Sequence, residues 1–383
     1  MKKLLVATLL ACGIAHANSA ELYGSLDYSL RYDNHANNTN DSGRVKQYSG
    51  IPSPTYFGIR GEEQLNASQS IKFKLESGFS LVSGQTAQTG GTANTDTLFD
   101  RAAWVGFSEK TFGEFQLGRN TNAPMDLATS GVSDPLKLTH DGNGAPVVVG
   151  NATYGVGAMR VDQALTFVGS SSGLRNSRSD GMIKYTNKFG NVDVALTYAP
   201  GGTTGDMGQK RSYSGSAVYT SGPLKLAAAN FTAEDAANKT ETSNTIAANY
   251  TIGDFTVTGS HFSMNTDAGY VPANLTIGAT PTGPVLGLTT TSGPSTHGTL
   301  NLVGIKYQQT PALVHTFVIN NGKYENGVGS SGKLKTQIVM SEYYMTKRTN
   351  VYAILDHSAA TGSLVYNTSS TNTAVTFGIR HRF

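Results

Sequence analysis

The chain has 383 residues, 29 Lys and Arg against 26 Asp and Glu, and a single cysteine, Cys12. With only 14% charged residues, 44 glycines and a mean hydropathy of -0.24, it is too polar for a bundle of membrane helices and poor in charge for a soluble domain. No basic footprint points to nucleic acid, and no segment beyond the N-terminus approaches the roughly 18 consecutive apolar residues of a membrane helix.

Residues 1–17 (MKKLLVATLLACGIAHA) combine two lysines, an apolar run and an Ala15-His16-Ala17 small-x-small site, which is a secretory signal peptide. Cleavage is expected after Ala17, with Ala20 as the alternative; the Leu9–Cys12 run fits a lipoprotein site poorly because Leu10 is unsuited. The mature chain, residues 18–383, is then left without cysteine and with a net charge of about +1. An exported chain without apolar helices still crosses a membrane if its backbone polar groups pair in a closed barrel.

Alternation of period two runs through the rest of the chain. The first strand, Glu21 to Asp33, sets Leu22, Leu26, Tyr28, Leu30 and Tyr32 against Glu21, Ser25, Asp27, Ser29 and Arg31. Residues 34–54 read as a loop rich in Asn, Ser, Gly and Pro. The second strand, Tyr56 to Glu63, puts Arg60 and Glu62 inward; the third, Gln69 to Val82, puts Lys72, Lys74 and Glu76 opposite Ile71, Phe73 and Leu75. Strands follow over Leu98 to Ser108 and Glu114 to Asn120, then a strand-poor stretch, Thr121 to Ser179, too long for a loop without a task. Further strands are expected at 180–186, 192–199, 212–220, 224–233, 243–251, 255–264, 299–309, 313–324, 334–345 and 351–358. The last, Thr371 to Phe383, ends the chain on an aromatic residue. Long and short connections alternate and no linker divides the sixteen strands, so the expected fold is all-β: one transmembrane antiparallel β-barrel.

Five stretches carry a resemblance that spans the mature chain: Leu22-Tyr23-Gly24-Ser25-Leu26-Asp27; Phe57-Gly58-Ile59-Arg60-Gly61-Glu62-Glu63 with Leu75-Glu76-Ser77-Gly78-Phe79; Phe112-Gly113 with Leu117-Gly118-Arg119-Asn120; Thr346-Lys347-Arg348-Thr349 before Val351-Tyr352-Ala353; and Phe377-Gly378-Ile379-Arg380-His381-Arg382-Phe383. In these the chain resembles the general porins of Gram-negative outer membranes, in particular the beta-proteobacterial and neisserial branch. The resemblance implies a sixteen-stranded barrel, usually a homotrimer, whose third external loop, here Thr121 to Ser179, folds into the lumen. It also implies that Phe383 is read by the barrel assembly machinery. The chain departs from the family in two places. Tyr56 stands where an arginine commonly precedes Phe-Gly, and the long loop lacks the usual central motif.

The expected function is a water-filled channel of the outer membrane for passive diffusion of ions and small hydrophilic solutes, without cofactor or metal. Wall charges bias which ion sign passes. By parity Arg60, Lys72 and Lys74 form an inner basic ladder. Arg119 joins it only if the strand bulges near Gly118, and Arg175 and Arg178 reach in from the rim. Asp126, Asp134 and Asp141 would supply the opposing charge, leaving weak anion selectivity. Tyr23, Tyr28, Tyr32, Tyr198, Tyr250, Phe255 and Tyr352 are expected in the interfacial aromatic girdles. Two other readings share part of this pattern: a secreted all-β adhesin or binding protein, and a barrel lipase. Against a lipase, His357 and Ser358 are adjacent on a strand and face opposite ways, and no Gly-x-Ser-x-Gly elbow is present.

Overall fold

A computed structural model describes residues 19–35, 42–85, 98–136, 178–270, 296–327, 329, 331–362 and 369–383. Among these residues the strands are β1 (Ser19–Asp33), β2 (Arg44–Ser49), β3 (Tyr56–Gln64), β4 (Gln69–Gly78), β5 (Ala102–Glu109), β6 (Gly113–Thr121), β7 (Arg178–Phe189), β8 (Val192–Ala199) and β9 (Ser212–Ser221). They continue as β10 (Leu224–Glu234), β11 (Thr240–Ile252), β12 (Phe255–Thr266), β13 (Thr296–Thr310), β14 (Leu313–Asn326), β15 (Ser331–Tyr344), β16 (Thr349–Gly362) and β17 (Thr371–Arg382), with one helix, α1 (Ala123–Ser130).

All pair antiparallel in one sheet that closes on itself where β1 meets β17, from Ser25↔Arg382 to Asp33↔Ala374. On its other edge β1 pairs with β3 over its first half and with β2 over its second. β2 and β3 are therefore two halves of one interrupted strand, and the closed barrel has sixteen. Within the loop expected over residues 34–54, Arg44–Ser49 are instead paired, because β1 extends past Tyr28 and offers them a free edge. The interruption has a covalent cause. Pro52 and Pro54 carry no amide hydrogen, so residues 50–55 leave the ladder. They fold back against β1, where Gly50 N donates to Asp27 O at 2.8 Å and Thr55 Oγ1 bonds both Asp27 N and Asp27 O at 3.1 Å.

Two-residue turns join most hairpins at one rim. Gly190 and Gly253 sit there with φ of 58° and 55°, the left-handed backbone such tight turns require. The other rim carries the long connections, including 79–101, 122–177 and 267–295. The outward face exposes Leu22, Leu30, Phe107, Leu117, Leu226, Val303, Leu355 and Phe377, a belt suited to lipid. Strands β13 to β16 have 14 or 15 residues, more than the 9–11 that span a bilayer. Their outward residues accordingly turn polar toward the long-loop rim, at Asn301, Asn321, Gln337 and His357.

The inner wall is not uniformly polar. Phe262, Leu300, Leu302, Val318, Leu334, Ile338, Met340 and Ile354 make an apolar surface inside β12 to β16, and Ile51 and Leu136 pack on it. Leu136 belongs to the strand-poor stretch. That stretch begins with α1, which the sequence reading did not single out although its boundaries are written there. Asn122 caps the first turn by accepting from Met125 N at 2.9 Å, Pro124 follows in that turn, and Gly131 ends the helix at φ 77°. α1 lies against β8, β9 and β10. Leu127 and Val132 fill the space left by Ala227, Ala229 and Ala247, alanines whose small side chains on the inner wall make room for a helix. Ser133 O accepts from Ser260 Oγ of β12, and Pro135 lies against Gly304 of β13. Residues 122–136 thus run along the lumen wall, as expected of a third loop that folds inward; residues 137–177 lie outside the described residues.

Candidate functional site

On the wall away from α1, parity brings the charges of β1, β3 and β4 to the inner face. Arg60 and Glu21 are direct cross-strand partners and form an ion pair. The Arg60 guanidinium lies 4.8 Å from the centroid of the Tyr23 ring. Lys72 meets Glu114 of β6 at 2.8 Å. Lys74 lies 3.0 Å from Glu76. Glu76 is the hub: it also accepts from Tyr23 Oη at 2.7 Å and from Arg101 Nε at 2.7 Å. One carboxylate, almost wholly buried, therefore holds two cations and a phenol.

Arg101 was missed by the sequence reading. Strict alternation over the expected strand, Leu98 to Ser108, would put it on one face with Ala103 and Val105, but the strand begins only at Ala102, so Arg101 escapes that alternation. Its guanidinium carbon sits 4.7 Å from the Tyr56 ring centroid. The position where the family commonly has an arginine is thus a tyrosine with an arginine from the neighbouring connection stacked on it, a favourable cation–π arrangement.

Tyr23 and Tyr352, expected in the outer girdles, both turn inward. Each lies over a glycine of the opposite strand: a Cβ on Gly58 would come within 2.8 Å of the Tyr23 ring, and one on Gly378 would collide with Tyr352. The missing side chains let the rings lie flat along the wall, so that Tyr352 Oη donates to Asp27 Oδ1 at 2.6 Å. Tyr28, Tyr32, Tyr250 and Phe255 face outward, the last three amply exposed.

The remaining sequence candidates are distributed as follows. Arg119 sits within the register shift between Gly118 and Asn120 on the β7 side, as a bulge near Gly118 requires, while on the other side it pairs with Ala103; its guanidinium donates to Asp180 Oδ1 at 2.6 Å and Asp100 O at 2.7 Å. Arg178 is buried opposite Thr121. Asp126, on α1, pairs with Lys184 at 2.6 Å and accepts from Thr121 Oγ1 at 2.7 Å. Asp134 is buried and accepts from Leu136 N at 2.9 Å. Asp141 and Arg175 lie outside the described residues.

A second cluster, unforeseen from sequence, bridges the seam of the barrel. Arg31 of β1 is fully buried; it donates through Nη1 and Nη2 to both oxygens of Asp356 on β16, at 2.5 and 2.8 Å, and through Nε to Asp33 at 2.8 Å. Thr376 of β17 accepts from Arg31 Nη1 at 3.2 Å, and Arg44 of β2 stands 3.8 Å from Asp33. Near the other rim Arg380 joins β17 to β15 through Glu342 at 2.6 Å. The alternation showed that these side chains share an inner face but not which strands would be neighbours.

A closed barrel with an apolar outer belt, a charged inner wall and a loop lying in its lumen has the form of a diffusion channel. The sequence matches the Gram-negative porin family over residues 4–363. The chain belongs to that family. An outer membrane porin protein of Bordetella pertussis is 26% identical over 431 aligned positions that cover the whole of both chains. In fold, the porin is similar to an anion-selective porin from Comamonas acidovorans (18% identity, 95% of this chain and 99% of that one, TM-score 0.68). It is likewise similar to OmpT of Vibrio cholerae in a trimer form (14% identity, 95% and 99%, TM-score 0.61) and to OmpF of Salmonella typhi (17% identity, 96% and 98%, TM-score 0.60). The protein is an outer membrane porin, a channel and not an enzyme.

Proposed function

We propose that this porin favours small anions weakly and that the charge balance around Glu76 sets the preference. The observation that carries the reading is the sharing of one carboxylate by Lys74 and Arg101, which leaves one positive charge uncompensated on a wall where Arg60 and Lys72 are each matched by a carboxylate, Glu21 and Glu114. A permeating ion sheds part of its hydration in a narrow lumen, and fixed wall charges compensate one sign better than the other. Asp126 and Asp134 offer less opposition than their charges suggest, since Asp126 is neutralised by Lys184 and Asp134 is buried; Asp141 is assigned to the opposing negative side, and Arg119, Arg175 and Arg178 to supporting basic roles. The anion selectivity of the Comamonas relative supports the same reading.

The functional form is taken to be a homotrimer of residues 18–383, released from its signal peptide after Ala17. Phe383 is its signal to the barrel assembly machinery. The backbone of Phe383 pairs with Gly24 in both directions, at 3.1 and 3.2 Å, which places the last residue on the seam strand β1.

Single-channel recording of refolded protein in a planar bilayer, under a potassium chloride gradient, tests this. Conductance in steps of three and a reversal potential displaced toward the chloride limit are expected. A potential on the potassium side would leave the channel standing and refute the anion preference.

A further inference from the structure

The charged wall of the lumen also holds an aromatic side chain that its charges leave alone. Trp104 of β5 alternates inward with Ala102, while Val105 and Phe107 are exposed on the lipid face. One register row of the inner face runs Arg60, Lys74, Trp104, Gly118 across β3, β4, β5 and β6. The indole leans along its own strand over Gly106, where a Cβ would stand 3.3 Å from Cζ3 of the ring. Gly106 is in turn opposite Lys72. Two lysines of β4 therefore border the indole on one side, and on the other the row continues with a glycine, so no side chain of β6 rises beside it there.

The other rings of this wall are engaged. Tyr23 has Arg60 at 4.8 Å and Lys74 at 5.8 Å from its centroid and donates to Glu76; Tyr56 carries Arg101 at 4.7 Å. Trp104 is half-exposed, and among the described residues no ring, cation or hydrogen-bond acceptor meets it. Its flat face and its Nε1–H are open to a partner from the lumen, and a planar ring is the partner such a face favours. The nearest charge in the same row is Lys74, whose counter-charge Glu76 is shared with Arg101. Neighbouring strands are about 4.8 Å apart, so a flat contact on Trp104 and a carboxylate contact on Lys74 lie one strand spacing from each other. That is the scale of a ring bearing its carboxylate directly, not of a long-chain acid. We propose, building on the anion preference above, that Trp104 and Lys74 form a subsite for small aromatic carboxylates. The ring of the solute stacks on the indole while its carboxylate turns to Lys74. An inorganic anion meets the charge alone, and a saturated carboxylate of the same size meets the charge without the stack.

The test uses the full-length mature porin refolded into a planar bilayer and measures the concentration of benzoate, or of cyclohexanecarboxylate, that halves the chloride current. An aromatic pair adds enough beyond buried area to favour benzoate about fivefold in the wild type. Trp104→Leu, shown to be folded by its heat-modifiable mobility, should respond equally to the two acids, and Trp104→Phe should keep a preference for benzoate. Lys74→Gln should raise both concentrations about threefold and leave their ratio unchanged, since it removes the charge and not the ring. Equal inhibition of the wild type by the two acids, with a reversal potential on the chloride side in potassium chloride, would overturn the aromatic subsite alone, as would an undiminished benzoate preference in folded Trp104→Leu. A reversal potential on the potassium side would remove the anion preference and the subsite with it.

Discussion

Asp356→Asn is the most incisive perturbation of the barrel itself. The substitution keeps the volume of the side chain and removes the charge that receives two hydrogen bonds from Arg31 at 2.5 and 2.8 Å. Both side chains are at 0% exposure, so water cannot take over as partner. Besides the Thr376 hydroxyl, Arg31 is left with one charged partner, Asp33, which already serves Arg44 at 3.8 Å. Removing one partner of a buried ion pair costs about 3–5 kcal/mol, because the other charge stays buried without compensation. With an m-value of about 3 kcal/mol/M, the urea midpoint falls by about 1–1.7 M. Trp104, the only tryptophan in the chain and seated on β5, reports the transition by fluorescence of protein refolded in lipid vesicles. The double replacement Arg31→Met with Asp356→Leu should lose less than the single one, since Arg44 and Asp33 then remain as a balanced pair. A midpoint shift below about 0.3 M for Asp356→Asn, the scale of a solvent-exposed pair, would refute the reasoning.

Three further outcomes are expected. Glu76→Gln removes the one carboxylate between Lys74 and Arg101; a unit charge about 7 Å from a permeating ion is worth about 0.6 kcal/mol in water, with opposite sign for anion and cation. After screening at 0.1 M salt the chloride-to-potassium permeability ratio should rise about threefold, read from the reversal potential, and a fall would show that Glu76 organises the cations rather than offsets them. Gly378→Ala intrudes on the Tyr352 ring, breaking its hydrogen bond to Asp27, and approaches the Tyr28 carbonyl within 2.8 Å; a loss of about 1–3 kcal/mol in the same urea assay is expected, reduced but not abolished in a Tyr352→Ala background, which leaves the backbone contact. Ala229→Leu overfills the seat of Leu127 and Val132, so single-channel conductance should change while the barrel stays heat-modifiable; an unaltered conductance would show that α1 does not shape the pore.

Much of this molecule is legible in its sequence because strand alternation is a local rule. Arg60, Lys72, Lys74 and Glu76 could be assigned to the inner wall, and Leu22, Leu30, Phe377 and Ile379 to the lipid face, without knowing which strand neighbours which. Pro52 and Pro54 and the cap residues Asn122 and Gly131 are equally local, and so β2 and α1 were readable in principle. What alternation cannot supply is partnership. That Arg31 meets Asp356, 325 residues away, follows from closure of the sheet between β1 and β17. Arg101 reaches Glu76 because β5 starts one residue after it, and Tyr23 and Tyr352 lie along the inner wall because glycines face them from other strands. The sequence by itself determined a β-barrel and its two faces, for these rest on the pleat and on hydrophobicity, whereas the inward loop was implied only by the family resemblance. The tertiary structure alone decided which charges neutralise one another along the lumen, since that depends on register and on the distances that only the closed sheet creates.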